Sequence, residues 1–264
     1  MKTLFIGDIV GRPGREAALA LMPSLTQKYG PFDAVIANAE NAAGGKGVTR
    51  AIVDELLEWG VDVITTGNHV WAQREVFEFI DTVPNLIRPA NFPKNTPGRG
   101  SIVATTNAGV DIGVINIAGQ VYMENYDNPF HTLDVILPKI RAQTKLVIVD
   151  FHAEATSEKI AMGWYADGKV SAIIGTHTHV QTADERVLPQ GTAYITDVGM
   201  TGPHDSVIGM KKDIVLRRFL TMLPVRHKVA DDDVMLSAVV LELDEKTGKA
   251  ISIQRIRHPF NKNA

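Results

Sequence analysis

Seven side chains able to bind a metal ion stand just after short apolar runs in this sequence: Asp8, Glu40, Asn41, Asn68, His152, His177 and His179. The chain has no cysteine, so any metal must sit among nitrogen and oxygen ligands. Seven ligands are too many for one four-coordinate ion. They suit two neighbouring ions, about 3.5–4 Å apart, joined by a bridging carboxylate. Glu40 or Asp8 could form that bridge. Imidazole, carboxylate and amide ligands together favour Fe, Mn, Zn, Co or Ni over an all-oxygen Mg or Ca site. Two such ions can hold a nucleophilic hydroxide at neutral pH and stabilise charge on phosphoryl oxygens during an in-line displacement. The leaving oxygen then needs a proton. His69, beside Asn68, is placed to give it, because imidazole titrates near the working pH.

These groups can meet only if strand ends bring them together. The apolar runs 3–6, 34–37, 61–66, 146–149 and 172–174 read as buried strands, and each is followed by one or two of the candidate ligands. In open α/β sheets, ligand sites lie outside the carboxyl ends of the strands. If the backbone stays extended past Ile174, His177 and His179 point the same way, to one spot or to two adjacent ions. Between the strands, the pattern predicts helices over 16–28, broken or kinked at Pro23, and over 50–59, capped by Thr49 and ended by Gly60. Further helices are expected over 73–81 (Val76, Phe77 and Ile80 on one side), 132–142, 157–167 and 212–220. Gly11, Pro13 and Gly14 read as a loop. Segments 101–105 and 111–118 suggest a hairpin around Asn107, Ala108 and Gly109. Strands are also expected at 192–195, 225–229, 234–243 and 250–257, with a long loop over 196–209. This alternation implies one α/β domain over 1–264, with a mixed sheet or two sheets and helices outside.

Composition narrows the classes. A formal net charge of −3, from 27 basic and 30 acidic residues, argues against a broad nucleic-acid footprint but not against a small nucleotide. The apolar run after Met1, Lys2 and Thr3 is too short for a signal-peptide core, and no run nears the roughly 18 apolar residues of a membrane span. The expected location is the cytoplasm, with no membrane partner.

The pieces Gly7-Asp8, Asn38-Ala39-Glu40-Asn41, Gly67-Asn68-His69, Asp150-Phe151-His152 and Gly175-Thr176-His177-Thr178-His179 together resemble the calcineurin-like metallophosphoesterases. Segments 7–11, 151–159 and 196–203 narrow the resemblance to the YmdB-type bacterial phosphodiesterase branch. The sequence departs from the broad pattern in having Val10 where a histidine is usual and Glu40 where the bridge is usually aspartate. The resemblance implies a metallophosphoesterase-like four-layer sandwich, with two central mixed β-sheets flanked by helices. It implies that Asp8, Glu40, Asn41 and His179 hold one ion and that Glu40, Asn68, His152 and His177 hold the other, with His69 as proton donor. It further implies iron first, with manganese or zinc as alternatives, hydrolysis of 2',3'- or 3',5'-cyclic nucleotides, and a homo-oligomer. Rival readings are a phosphomonoesterase on the same site and a metal-dependent regulatory or RNA-binding protein without turnover.

Other candidates carry blander readings. Gly44, Gly45 and Gly47 with Lys46 lack the P-loop pattern and read as a flexible loop. Asp197, His204 and Asp205 lie in the long loop, either a substrate lid or a solvated segment. Ser157 reads as a helix cap. Arg12, Arg15, Tyr122 and Tyr126 read as surface residues.

Overall fold

The structure, a computed structural model, describes residues 1–106 and 108–261. In chain order the first half holds β1 (Lys2–Ile6), β2 (Asp8–Ile9), α1 (Gly11–Tyr29), β3 (Ala34–Asn38), α2 (Arg50–Glu58), β4 (Val63–Thr65), α3 (Val76–Phe79), β5 (Ser101–Thr105) and β6 (Asp111–Ala118). The second half holds α4 (Pro129–Arg141), β7 (Val147–His152), α5 (Thr156–Ala166), β8 (Ala172–Thr176), β9 (Arg186–Val187), β10 (Ala193–Ile195), β11 (Met200–Pro203), α6 (Lys212–Thr221), β12 (Val234–Leu243) and β13 (Ala250–Pro259). The first sheet runs β2-β11-β12-β1-β3-β4, with β13 along β12. The second runs β5-β6-β7-β8-β10-β9. Both are mixed: β1 is parallel to β3 but antiparallel to β12, and β7 is parallel to β8 while β5 is antiparallel to β6.

Side-chain alternation along the strands sets the layers. In β1, Phe5 points into a core shared by the two sheets, while Leu4 and Ile6 point into an outer core. In β7, Ile148 faces the shared core, and Val147 and Val149 face the opposite way. Successive strand residues project to opposite faces, so runs that are apolar throughout must be covered on both sides. Ile52, Val53 and Leu56 of α2 cover the first sheet; Leu133 and Leu137 of α4 and Met162 of α5 cover the second. The four-layer sandwich implied by the resemblance is the observed fold.

Several local expectations are corrected. Gly11, Pro13 and Gly14 form no loop but open α1. Proline is tolerated there because the first-turn N–H groups have no helical partner anyway. Gly14 lies so close to the Thr201 carbonyl that a Cβ would collide with it. Pro23 does not end α1, which continues to Tyr29 and is anchored beyond the proline by buried Leu25. The helix over 73–81 shrinks to α3, where Val76 and Phe79 are buried, Ile80 is buried at its end, and Phe77 is exposed. Helix α5 starts one residue earlier than expected, with Ala155 at its N-cap, so Ser157 is no cap. Residues 225–229 form no strand, only a single bridge between Met210 and Val229. The loop over 196–209 is interrupted by β11, and the pattern gives no hint of the short β9. The arms 101–105 and 111–118 do pair antiparallel, Ser101 opposite Ile115 and Thr105 opposite Asp111. Asn107, at their turn, lies outside the described residues. Among the described residues no helix is long and apolar enough to cross a membrane.

Candidate metal centre

The central strands of each sheet run parallel, so their carboxyl ends open on one side. Strand β1 pairs in parallel with β3, and β3 with β4; β7 pairs in parallel with β8. Glu40 and Asn41 follow β3, Asn68 and His69 follow β4, and His177 and His179 follow β8. Asp8 and His152 sit within their strands rather than beyond them, in β2 and at the last position of β7. Strand β11 holds Asp8 in place, pairing Met200 with Asp8 and Thr201 with Ile9. The extended backbone expected at His177 and His179 does not form. Their φ values are +102° and +68°, so the chain turns sharply at each. This is a region that side chains with a Cβ seldom occupy.

Two donor groups result. Glu40, His152 and His177 bring ligand atoms within 4.8 Å of one another, and so do Asp8, Glu40 and His179. Glu40 belongs to both. His152 Nε2 lies 3.2 Å from Glu40 Oε2, 3.0 Å from Asn68 Oδ1 and 3.0 Å from His177 Nδ1. One ring nitrogen carries at most one proton and cannot satisfy three such neighbours by hydrogen bonding. Donors converging at this spacing suit a cation, whose ligands at about 2.0–2.2 Å stand roughly 3 Å apart. In the second group Asp8 Oδ1 is buried without any hydrogen-bond partner. Such an atom is costly unless something else occupies it. Gly67 borders the first group so closely that a Cβ would collide with Glu40 Oε2 and His152 Nε2. The donors therefore fit a pair of cations.

Each imidazole is aimed by a bond from its outer nitrogen. His152 Nδ1 lies 2.9 Å from Thr176 Oγ1, which donates to Asp150 Oδ1 at 2.6 Å. His177 Nε2 meets Glu154 Oε2 at 3.0 Å, and His179 Nδ1 meets the Ile208 carbonyl at 3.0 Å. Bonds of this kind fix the tautomer and leave the inner nitrogen free for a metal. Asp150 also accepts from Asn38 Nδ2 at 2.9 Å, so one buried carboxylate ties β3 of the first sheet to β7 and β8 of the second. Asp150, Thr176 and Glu154 lie within the stretches that carry the family resemblance, but nothing in the sequence gives them this orienting part, and nothing singles out Ile208.

Asn41 is brought to the site with its amide reversed from what a ligand needs. Its Nδ2 faces Glu40 Oε1 and His179 Nε2, both at 3.0 Å, while its Oδ1 faces His69 Nδ1 at 3.0 Å. His69 also meets Glu40 directly: its ring Nδ1 lies 3.3 Å from Oε1, and its backbone N–H donates to Oε2 at 3.1 Å.

Burial and charge pull against each other here. Burial lifts the Asp8 carboxyl well above the usual carboxylate range, and His152 only partly offsets it. Burial acts the same way on Glu40, but His152 and His69 outweigh it and hold Glu40 well below that range. Burial would lower His152, yet Glu40 and Asp8 raise it to about 9. His177 is pushed down to about 3 by burial and by the neighbouring His152. A protonated His152 thus balances the buried carboxylates where a cation could, and a metal must displace that proton to bind.

The centre forms the floor of a cavity of about 560 Å³. Glu40, Asn41, His69, His177 and His179 line the floor; Lys46, Val207, Ile208, Met210, Val215, Arg218, Phe219 and His227 line the walls. A larger cavity of about 670 Å³ holds Arg12, Glu16 and Asp231 to Asp233 but no imidazole and none of the candidate ligands. The remaining sequence candidates divide. Arg12 pairs with Glu16, and Arg15 donates to the Ala42 carbonyl at 2.6 Å, bracing the turn that carries Asn41. Tyr126 stacks on Phe92, and Tyr122 is exposed. Asp197 is neither a lid residue nor solvated but fully buried.

Known proteins share this fold and much of this sequence. A model of the YmdB-like protein family matches residues 4–256. A 2',3'-cyclic-nucleotide 2'-phosphodiesterase from Bacillus subtilis is 52% identical over 256 residues, which is 97% of this chain and 96% of that protein. A crystal structure from Mycoplasma pneumoniae, described as a novel phosphatase, superposes with a TM-score of 0.91 at 38% identity, covering 100% of this chain and 95% of the other. A hypothetical protein from Thermus thermophilus gives the same TM-score at 39% identity, covering 99% of this chain and 100% of the other. With the match running along almost the whole chain and the fold shared at that level, the chain belongs to the YmdB-like family.

Proposed function

We propose that this chain is a two-metal phosphodiesterase acting on small phosphodiesters, with cyclic nucleotides (2',3'- or 3',5'-cyclic) as its substrate class. The observation that carries this reading is the pair of donor groups joined through Glu40 on the floor of an open cavity. The activity in the name of the Bacillus relative supports the cyclic-nucleotide class. Glu40, Asn68, His152 and His177 would hold one ion; Asp8, Glu40, Asn41 and His179 would hold the other. Asn41 joins its set only with its amide turned over, since its oxygen faces His69. The proposed metals are iron or manganese, which suit nitrogen and oxygen donors without thiolate. Bound there, the pair supplies Lewis-acid stabilisation of the charge that develops on the phosphoryl oxygens.

The chain's own residues account for the remaining requirements. His69 is the proposed general acid: with the Asn41 amide turned over, its NH2 donates to Nδ1, 3.0 Å from the amide, so the ring proton sits on Nε2 for delivery to the leaving oxygen. Lys46 and Arg218 draw an anionic substrate into the cavity. Val207, Ile208, Met210, Val215 and Phe219 give the rest of the ligand an apolar wall and exclude water. The reading includes one domain over 1–264, a cytoplasmic location and a homo-oligomer. Exposed Leu216, Phe219, Leu220, Met222 and Leu223, on and just after α6, support self-association.

The test is metal-stripped protein reloaded with Mn²⁺ or Fe²⁺ and assayed on cyclic nucleotides, linear dinucleotides and phosphomonoesters. Two ions per chain and faster diester than monoester hydrolysis are expected. Fewer than one ion per chain, with no hydrolysis after reloading, overturns the reading. Faster monoester turnover would make it a phosphomonoesterase, and tight nucleotide binding without product would make it a sensor.

A further inference from the structure

Lys159 of α5 and Asp197 form an ion pair apart from both donor groups and from the cavity lining. Their side chains are each 1% exposed, with Nζ 2.6 Å from Oδ2. A buried pair of this kind is a weak source of stability, because desolvating two charges offsets most of their attraction. Its placement accounts for it better than its strength does.

Asp197 Oδ2 also accepts from the Thr178 N–H at 3.0 Å and from Thr178 Oγ1 at 2.8 Å. Thr178 is the residue between His177 and His179, both held at positive φ. Lys159 Nζ makes its other bond to the Thr176 carbonyl at 2.7 Å, at the start of the same turn. The pair thus grips the histidine turn at two points. Conformations like these are strained for a residue with a Cβ and persist only where surrounding contacts fix them.

The other carboxylate oxygen reaches a second element. Asp197 Oδ1 accepts from the Gly199 N–H at 2.8 Å. Gly199 has φ +78° and leads directly into β11. Its carbonyl packs on Gly7, where a Cβ would collide with it. Met200 then pairs with Asp8, and its N–H donates to the His179 carbonyl at 3.2 Å. One carboxylate therefore governs the backbone around His177, His179 and Asp8, which belong to both donor groups.

We propose that Lys159 and Asp197 are positioning residues whose role is to hold the His177–His179 turn and the Asp8 segment in the geometry that binds two ions. This rests on the two-metal reading above. The test uses the metal-stripped full chain titrated with Mn²⁺, followed by electron paramagnetic resonance and by thermal melting. Wild type should bind two Mn²⁺ and give the spectrum of a coupled pair. Lys159→Met/Asp197→Asn removes both charges at similar volume; the melting curve checks that the chain still folds, with some lowering expected because the amide NH2 cannot accept the backbone N–H that a carboxylate oxygen does. Mn²⁺ affinity should fall roughly 10- to 100-fold, the usual loss for residues that orient ligands, and the coupled spectrum should be lost.

Native affinity with the native spectrum in this variant overturns the positioning role and leaves the two-metal reading intact. A wild type that fails to bind two ions removes the ground for both. If the double variant does not fold, Thr178→Val decides the matter. It deletes the hydroxyl bond to Asp197, along with the long 3.4 Å bond that the same hydroxyl accepts from the Val180 N–H, and should weaken Mn²⁺ roughly 2- to 10-fold, the worth of one good hydrogen bond; unchanged affinity overturns the proposal.

Discussion

The first sheet brings Asp8, Glu40, Asn41, Asn68 and His69 to the candidate centre, and the second brings His152, His177 and His179. Carboxylates and amides come from one side, and imidazoles, apart from His69, from the other. The two sets are held differently. Asp8, Glu40 and Asn41 are fully buried, and the carboxylates depend on charge facing them from the second sheet. The three imidazoles are aimed by outer partners, Thr176, Glu154 and the Ile208 carbonyl. A carboxylate can approach a metal from several directions, whereas an imidazole must point one nitrogen at it. The first set can therefore rely on burial, but the second needs orienting bonds. Glu40 lies where the two sets meet and is the one residue common to both donor groups.

That contrast can be broken at its shared point first. Glu40→Gln should release both ions and abolish diester hydrolysis, measured by metal content and turnover together. Retention of two ions would mean that Glu40 joins nothing. His177→Ala and His179→Ala should each release one ion, and the remaining ion should differ between the two variants. Loss of the same ion from both would show that the rings do not serve separate groups. His69→Ala should keep both ions and slow turnover roughly 10²- to 10⁴-fold on an alkyl leaving group, the range for general acid catalysis. A nitrophenolate leaving group, which needs no proton, should largely escape the loss; an equal loss on both would remove the acid role.

The smallest effect concerns the charge balance between the sheets. In the metal-free protein His152 holds a proton up to about pH 9, and a metal must displace it. The direction follows: each unit of pH below that value adds a tenfold excess of competing protons, so apparent Mn²⁺ affinity should rise with pH, by about tenfold per unit, and level off above it. A titration at several pH values with a flat affinity would show that no such proton is displaced.

Much of the site is legible in the sequence because strand ends are legible. Apolar runs 34–37, 146–149 and 172–174 announce buried strands, and Glu40, His152, His177 and His179 follow them at once. The antiparallel end is legible too, since 234–243 and 250–257 read as strands and pair antiparallel as β12 and β13. The reading fails where short contacts overrule local pattern. Gly11 and Pro13 look like loop residues, yet they open a helix because its first-turn N–H groups need no helical partner. Residues 200–203 look like part of a loop, yet they form β11 because β2 and β12 offer it unpaired edges. Asp197 reads as part of a lid or of a solvated loop for the same reason.

The sequence by itself determined which residue types could meet a metal, that two ions suit their number, and that strands would carry them. Periodicity and composition suffice for this, because they record what each segment must bury. Only the tertiary structure shows which donor atoms stand within reach of one another. The Asp8 carboxylate accepts from the His177 backbone at 3.3 Å across 169 residues of chain. The sharp turn at His177 and His179, the reversed amide of Asn41 and the buried Lys159–Asp197 pair all depend on such distant contacts. No local pattern encodes them, since each is set by which strands of two separate sheets come to lie side by side.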